Sequence, residues 1–116
     1  MRAALLLTVL VGLADAGRSL PAAMVYDSNY GAVTLYADGA HVHGTYPCCG
    51  SGTVGGTVTG ATIHYRWQSG SGNGGGVWTI DRTTGHLDGT WGWNGSETDG
   101  GRWDLVPQKP SAQIAN

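Results

Sequence analysis

The sequence predicts an all-β domain, in which seven or eight antiparallel strands form an up-and-down meander that curls into a closed or nearly closed barrel. Glycine occupies 21 of the 116 positions, and each interior glycine costs a helix about 1 kcal/mol. Hydrophobic residues make up 41% of the chain and the net charge is only −2, a balance that excludes a disordered protein. Apolar and polar side chains also alternate from residue 31 to residue 106, which is the period of a strand.

The amino-terminal residues 1–16 have the pattern of a secretory signal peptide. Arg2 precedes an apolar run, and Ala14-Asp15-Ala16 follows it with small residues where signal peptidase cleaves. The run of about 11 residues would span only about half of a 30 Å hydrocarbon core, so no membrane anchor is expected in the mature form. We expect a secreted or periplasmic protein after cleavage near Ala16, with a barrel domain at 17–106 and a disordered tail at 107–116.

Turn residues divide the alternating region into seven predicted strands. The dipeptides Asp38-Gly39 and Thr59-Gly60 are typical of two-residue hairpin turns. If each dipeptide occupies the two central positions of its turn, the first turn places Leu35 opposite Val42 and the second places Val58 opposite Ala61. The predicted strands are residues 32–37, 40–46, 53–58, 61–67, 76–81, 86–93 and 102–106.

Barrel closure is expected because an open meander of this length would leave unpaired edge strands. The third hairpin, through residues 82–85, sets Trp78 against Gly89 and Gly76 against Trp91. Glycines therefore face the barrel interior opposite large rings and make room for them. Residues 69–75 and 94–101 are predicted to be glycine-rich flexible loops that control access to the interior.

Aromatic side chains dominate the face that points into the predicted barrel. This set is Tyr46, Tyr65, Trp67, Trp78, Trp91, Trp93 and Trp103. The rings form either a fully packed core or the lining of a cavity, since a small barrel can hold one ligand.

Two functions follow from these two arrangements. The first is a secreted, non-catalytic barrel that binds a small flat or apolar ligand, with polar contacts from indole N–H and tyrosine O–H groups. The ligand-binding residues would be Tyr46, Trp67, Trp78, Trp91 and Trp93. The alternative is a cell-surface or extracellular structural or protein-interaction module with a packed core and no small ligand.

Other functional classes find little support in the residue pattern. No nucleophile and base stand together, so no enzymatic activity is expected. Residues 70–75 match G-x-G-x-x-G, but a strand follows where a dinucleotide site needs a helix, so no cofactor is expected. His41 and His43 share a face, but His64 lies about two strand spacings of 4.8 Å away, so no metal site is expected. The acidic balance also excludes a nucleic-acid footprint, and the oligomeric state stays open.

Cys48 and Cys49 are adjacent in the chain, and three states are open to them. An oxidising compartment favours a disulfide. An ordinary disulfide joins Cα atoms 4.4–6.8 Å apart, whereas chain neighbours are about 3.8 Å apart. The pair is therefore a vicinal disulfide, two free thiols, or two bridges to a second chain.

The opening of the domain resembles avidin and streptavidin, which begin with W-x-N-x-x-G-S, a strand and G-T-Y. The matching segments here are Tyr26-Asp27-Ser28-Asn29-Tyr30-Gly31 and Gly44-Thr45-Tyr46. The resemblance implies an up-and-down barrel with an interior ligand site ringed by tryptophans, biotin being the family's ligand, and Tyr46 matches the family's tyrosine contact. Ala32 and Ser28 replace the family's serine and asparagine. Each lost partner of a buried polar ligand group costs about 1–3 kcal/mol, so the resemblance does not imply tight biotin binding.

A second resemblance is to glycine-rich secreted β-meander proteins of bacteria. The chain shares with them Cys48-Cys49-Gly50 and Gly89-Thr90-Trp91-Gly92. This resemblance implies the same fold and secretion, and it implies no particular ligand.

Overall fold

The computed structural model describes residues 20–108, so the predicted signal peptide and most of the predicted tail lie outside the described part. The described residues contain nine strands and no helix. The strands are β1 (Ala23–Ser28), β2 (Val33–Asp38), β3 (His41–Tyr46), β4 (Gly52–Thr59), β5 (Thr62–Ser69), β6 (Gly72–Ile80), β7 (Leu87–Trp93), β8 (Gly101–Arg102) and β9 (Leu105–Pro107). A helix long and apolar enough to cross a membrane is therefore absent from residues 20–108.

The strands close into an antiparallel barrel, as predicted. Strands β1 to β7 each pair with the next strand along the chain, and β9 pairs with both β7 and β1. The closing seam sets Tyr26 opposite Pro107 and Ser28 opposite Leu105. The result is a closed eight-stranded up-and-down barrel with β8 as one additional short strand.

The two ends of the meander differ from the prediction. The predicted strands begin at residue 32, but β1 precedes them and pairs with β2. The predicted strand 102–106 is interrupted at Trp103 and Asp104, where the Asp104 carboxylate accepts the backbone N–H of Gly89 at 3.0 Å. The predicted tail boundary was also too early, because Pro107 belongs to β9 and the Gln108 N–H donates to the Val25 carbonyl.

The predicted register of the β2–β3 hairpin was wrong by two residues. Leu35 pairs with Gly44 instead of Val42. Gly39 has a φ of +65° and is the first residue of the turn, whereas the prediction made it the second. Glycine at the first turn position is typical of the type II′ hairpin. A shift of two residues leaves every side chain on its predicted face, so the inward set is unaffected.

The β4–β5 hairpin shows the same error for the same reason. Val58 pairs with Ile63 instead of Ala61, and Gly60 is the first turn residue with a φ of +63°. In both hairpins the turn lies one residue further along the chain than predicted.

The predicted register of β6 and β7 is confirmed, and it explains how the core accommodates its rings. Trp78 pairs with Gly89, and Gly76 pairs with Trp91. A Cβ atom on Gly76 would collide with the ring of Tyr65. The Tyr65 and Trp78 rings stack with centroids 4.0 Å apart, and Trp78 is 0% exposed. This part of the interior is therefore filled.

The prediction of a flexible loop at residues 69–75 was wrong. Strand β5 continues to Ser69 and β6 starts at Gly72, and these two residues pair across a tight turn. The glycines of this segment are compatible with the sheet because large neighbouring groups occupy the space that their side chains would fill. A Cβ atom on Gly74 would lie 2.8 Å from Nε1 of Trp67, so only glycine fits beside that indole.

Candidate ligand-binding site

Four connections at one end of the barrel surround a pocket of about 230 Å³. They join β1 to β2, β3 to β4, β5 to β6 and β7 to β8. Each connection either contains a residue that lines the pocket or lies next to one. Trp103 lines this mouth pocket and also contacts Trp78, at a centroid distance of 5.3 Å. The complete lining is Tyr30, Tyr46, Cys49, Trp67, Ser69, Ser71, Trp91, Trp93 and Trp103.

The structure brings four of the five predicted ligand-binding residues together at the mouth pocket. These are Tyr46, Trp67, Trp91 and Trp93. Trp93 lies at the rim with 40% of its surface exposed, although its parity predicted an interior position. The fifth residue, Trp78, is outside the lining and belongs to the packed core, where its Nε1–H donates to the Trp103 carbonyl at 3.0 Å.

The remaining lining residues were absent from the predicted set. Tyr30, Cys49 and Ser71 lie in connections or turns, which strand alternation does not cover, and Ser69 fell in the supposed loop. Tyr30 contacts the Trp91 ring edge-on, with centroids 6.0 Å apart and planes at 85°. Nothing in the sequence pattern of residues 26–31 predicted a pocket position for Tyr30.

The indole N–H groups do not face the pocket as predicted, because three of the four pocket tryptophans donate to the protein itself. The N···O distances are 3.0, 3.1 and 3.1 Å, and the pairs are Trp67 to the Gly92 carbonyl, Trp91 to the Tyr30 hydroxyl and Trp103 to the Ser28 hydroxyl. Trp93 has no Nε1 partner among the described residues. The N–H groups of the other three indoles are therefore already occupied by protein acceptors.

Three of the indoles meet nearly at right angles. Trp67 and Trp91 are at 84°, Trp67 and Trp93 at 72°, and Trp91 and Trp93 at 71°. Their centroids are 5.1–5.5 Å apart, which is the range of stable edge-to-face contacts. We call these three rings, all of which line the pocket and no two of which are parallel, the indole corner.

Hydroxyl groups supply the polar part of the lining. The Ser69 and Ser71 Oγ atoms are 2.9 Å apart, and the Ser71 backbone N–H donates to Ser69 Oγ. Burial raises the pKa of Tyr46, and a hydrogen bond with the Ser69 side chain opposes this in part. The phenol is therefore neutral at physiological pH. None of the nine lining residues is charged.

The cysteines form a vicinal disulfide at the rim. Cys48 and Cys49 are bonded, with Cα atoms 3.7 Å apart, and no cysteine in residues 20–108 is free. Cys49 has a φ of +68° and lines the pocket, whereas Cys48 packs against the core. The next residue, Gly50, accepts a hydrogen bond from the Gly70 N–H at 3.3 Å, which joins this connection to the β5–β6 turn.

The connection at residues 94–101 is tied to the strands beside it. The Asp99 carboxylate accepts the Trp93 backbone N–H at 2.8 Å. The Glu97 carbonyl accepts the Thr90 hydroxyl at 2.9 Å, and its carboxylate lies 3.0 Å from Nδ1 of His64. These bonds fix the backbone that follows Trp93.

Two of the outward histidines contact other side chains on the outer face of the barrel. His43 stacks on Tyr36 with centroids 5.4 Å apart, and His64 pairs with Glu97. Within the described part of the chain, no three His, Cys, Asp or Glu side chains are grouped so that they could hold a metal ion.

Comparison of the chain with models of protein families, with curated proteins and with solved structures finds no match.

Proposed function

We propose that this is a secreted, non-catalytic binding protein that holds a small apolar ligand in the mouth pocket. The observation that carries the proposal is the contrast between the two parts of the interior. Around Trp78 the barrel is filled, whereas aromatic faces at the mouth surround about 230 Å³ of open space. Small-molecule sites are concave and lined mainly by aromatic and apolar side chains, so an open aromatic pocket favours a ligand.

The size of the pocket limits the ligand. A cavity of about 150 Å³ with apolar walls binds benzene. The mouth pocket therefore suits one ring or one branched apolar group with a few further atoms. The indole N–H groups of Trp67, Trp91 and Trp103 are already bonded. Polar atoms of the ligand would therefore face the hydroxyls of Ser69, Ser71 and the two tyrosines or the N–H of Trp93.

The same lining supports binding over catalysis. Ser69 and Ser71 are its only aliphatic hydroxyls, and no histidine or carboxylate lines the pocket to act as a base. A serine without an adjacent base is a weak nucleophile.

The proposal is tested by following the five indole N–H signals in a nitrogen–proton NMR spectrum during titration with toluene, 3,3-dimethylbutan-1-ol and biotin. At least one of the first two compounds should move the signals of Trp67, Trp91, Trp93 and Trp103, while the Trp78 signal stays in place as an internal control. The Trp93→Ala variant should bind at least about tenfold more weakly, which is about 1.4 kcal/mol. Tyr36→Ala, at an exposed ring outside the pocket, should bind unchanged.

If no compound moves any pocket signal, the proposal is wrong and the interaction module with a packed core becomes the better interpretation. Movement of the Trp78 signal together with all the others would indicate a change of the whole barrel instead of binding at the mouth. That result would also contradict the proposal.

A further inference from the structure

We infer that the ligand of the mouth pocket carries a methylated quaternary ammonium group, of the kind found in choline. This inference rests on the proposed function and adds the chemical class of the ligand. Four features of the described residues support it: the shape of the indole corner, the direction of the indole N–H groups, the charge around the pocket, and the scarcity of hydrogen-bond acceptors in its lining.

The shape of the indole corner favours a compact group over a flat one. A flat ring is held best between two parallel faces, whereas the three indoles here stand at 71–84° to one another. A tetrahedral trimethylammonium group is nearly isotropic and contacts three such faces at once. Each aromatic face carries negative potential, which attracts a cation held within about 6 Å of the ring centroid.

The direction of the N–H groups removes the main source of repulsion. The edge of an indole is positive, most of all at Nε1–H. Trp67, Trp91 and Trp103 direct that edge at acceptors of the protein, at 3.0–3.1 Å. Of the four pocket indoles, Trp93 alone has no Nε1–H partner within residues 20–108, so an anion would find few indole donors, while the negative ring faces would attract a cation.

The surrounding charge also favours a cation. Residues 20–108 contain seven acidic residues and three arginines. Two of the acidic residues lie in the β7–β8 connection: Asp99 accepts the backbone N–H of the rim residue Trp93 at 2.8 Å, and Glu97 pairs with His64 on the outer face. The arginines are engaged elsewhere: Arg102 pairs with Asp104, and Arg66 donates to Asn73 on the outer face.

The lining distinguishes a methylated ammonium from a primary one. A primary ammonium has three N–H donors that need acceptors when they leave water. The side chains of the lining offer the hydroxyls of Ser69, Ser71, Tyr46 and Tyr30. The two serine hydroxyls already bond each other, and the Tyr30 hydroxyl already accepts the Trp91 N–H. A quaternary ammonium has no N–H to satisfy, and a hydroxyl or ester oxygen next to it would suit this serine pair.

The test compares choline with 3,3-dimethylbutan-1-ol, which has the same shape but a carbon atom in place of the charged nitrogen. Dissociation constants are measured by NMR titration of the indole signals, with ethanolamine as the primary-ammonium probe. Choline should bind at least about tenfold tighter than its neutral isostere and at least about tenfold tighter than ethanolamine. All three titrations use the same ionic strength, so that screening is equal for the two cations.

Two variants test the contribution of the indole corner. Trp93→Leu keeps an apolar side chain but removes the aromatic face, so it should reduce the preference for choline over the isostere by at least about threefold. Trp93→Phe keeps a face and should retain most of the preference. The exposed control Tyr36→Leu should leave both dissociation constants unchanged.

The outcomes separate this inference from the proposed function. If the isostere binds as tightly as choline, or tighter, the pocket binds apolar ligands and the ammonium inference is wrong. An unchanged choline preference in Trp93→Leu would likewise overturn it. If neither compound moves the pocket signals, both proposals fail.

Discussion

At the scale of single residues, glycine and aromatic side chains are complementary in this barrel. A Cβ atom on Gly52 would collide with the Tyr46 ring, and one on Gly100 would collide with the Trp91 ring. These two rings therefore lie where a neighbouring position carries no side chain. This is why a chain with so much glycine can fill an interior, and why the same glycines keep rings at fixed positions around the pocket.

A matched pair of glycine substitutions tests this complementarity. Gly89 faces inward, and an added Cβ would meet the Val77 carbonyl and lie 3.0 Å from Cα of Trp78. Gly55 faces outward, and its Cβ would meet only the Val42 carbonyl at 3.8 Å. We expect Gly89→Ala to lower the free energy of unfolding by about 3 kcal/mol through overpacking, and Gly55→Ala to change it by less than about 1 kcal/mol.

The measurement is urea unfolding of both variants, followed by tryptophan fluorescence. Equal stabilities of the two variants would show that the inward glycines are not required by packing.

At the scale of elements, the last segment of the barrel depends on one carboxylate. Asp104 stands between β8 and β9, accepts the Gly89 N–H at 3.0 Å and pairs with Arg102 at 2.8 Å. The backbone N–H of Asp104 donates to the side chain of Asn29 at 3.0 Å. Together with the Trp103 N–H, which donates to the Gly89 carbonyl at 2.9 Å, Asp104 links the segment between β8 and β9 to the rest of the barrel.

The Asp104 carboxylate predicts an acid-dependent loss of stability. The hydrogen bond from Arg102 lowers the pKa of Asp104; partial burial opposes this, and the Gly89 N–H adds to the lowering. Since the folded pKa lies below the unfolded value of about 3.9, the stabilisation is complete above that pH and is lost as the pH falls through the folded value. Asp104→Asn should lower the free energy of unfolding by only about 1 kcal/mol at pH 6, because the side chain is 39% exposed. The loss should be smaller at pH 3, because the carboxylate of the parent protein is then partly protonated.

Urea unfolding at pH 6 and pH 3 measures the difference. Asp38→Asn is the control, because Asp38 makes no side-chain hydrogen bond within residues 20–108. An Asp104→Asn penalty that is the same at both pH values would contradict the assigned role of the carboxylate.

At the scale of the whole molecule, the barrel is closed by a seam between β1 and β9, and the core is continuous across it. Tyr26 lies on this seam opposite Pro107 and is 2% exposed. Burial raises the pKa of Tyr26 to about 12, and burial likewise raises the pKa of Tyr65. Both phenols are therefore neutral in the folded barrel at physiological pH, and burial makes their ionisation unfavourable.

This seam predicts unfolding in alkali. An unfolded tyrosine ionises near pH 10, so the stabilisation from neutral Tyr26 is complete below about pH 10 and is lost as the pH rises toward 12. The loss attributable to Tyr26 should reach about 2–3 kcal/mol at pH 12, at 1.36 kcal/mol per pKa unit. Denaturant unfolding between pH 8 and pH 12 measures it.

Tyr26→Phe has no phenol to ionise, so its stability should fall less steeply over the same range. A variant that loses stability as steeply as the parent would show that Tyr26 does not control the alkaline transition.

The sequence by itself determined the strand faces, because alternation is a local property of the chain. Parity placed Tyr46, Trp67 and Trp91 inside, and the unpaired edges of a long meander predicted closure. The same reasoning placed Trp78 in the ligand site and made residues 69–75 a loop, since it took no account of which rings and glycines lie across the sheet.

Only the tertiary structure decided which end of the interior is open and what the pocket presents to a ligand. Trp103 donates its N–H to Ser28, 75 positions away, and Trp91 donates to Tyr30, 61 positions away. Such partners meet only after β9 pairs with β1 and closes the barrel. Closure directs the N–H groups of these two indoles at protein acceptors, and the pocket that forms also contains the serines at the β5–β6 turn. No local pattern specifies contacts between residues so far apart, because they depend on how the whole sheet curves and closes.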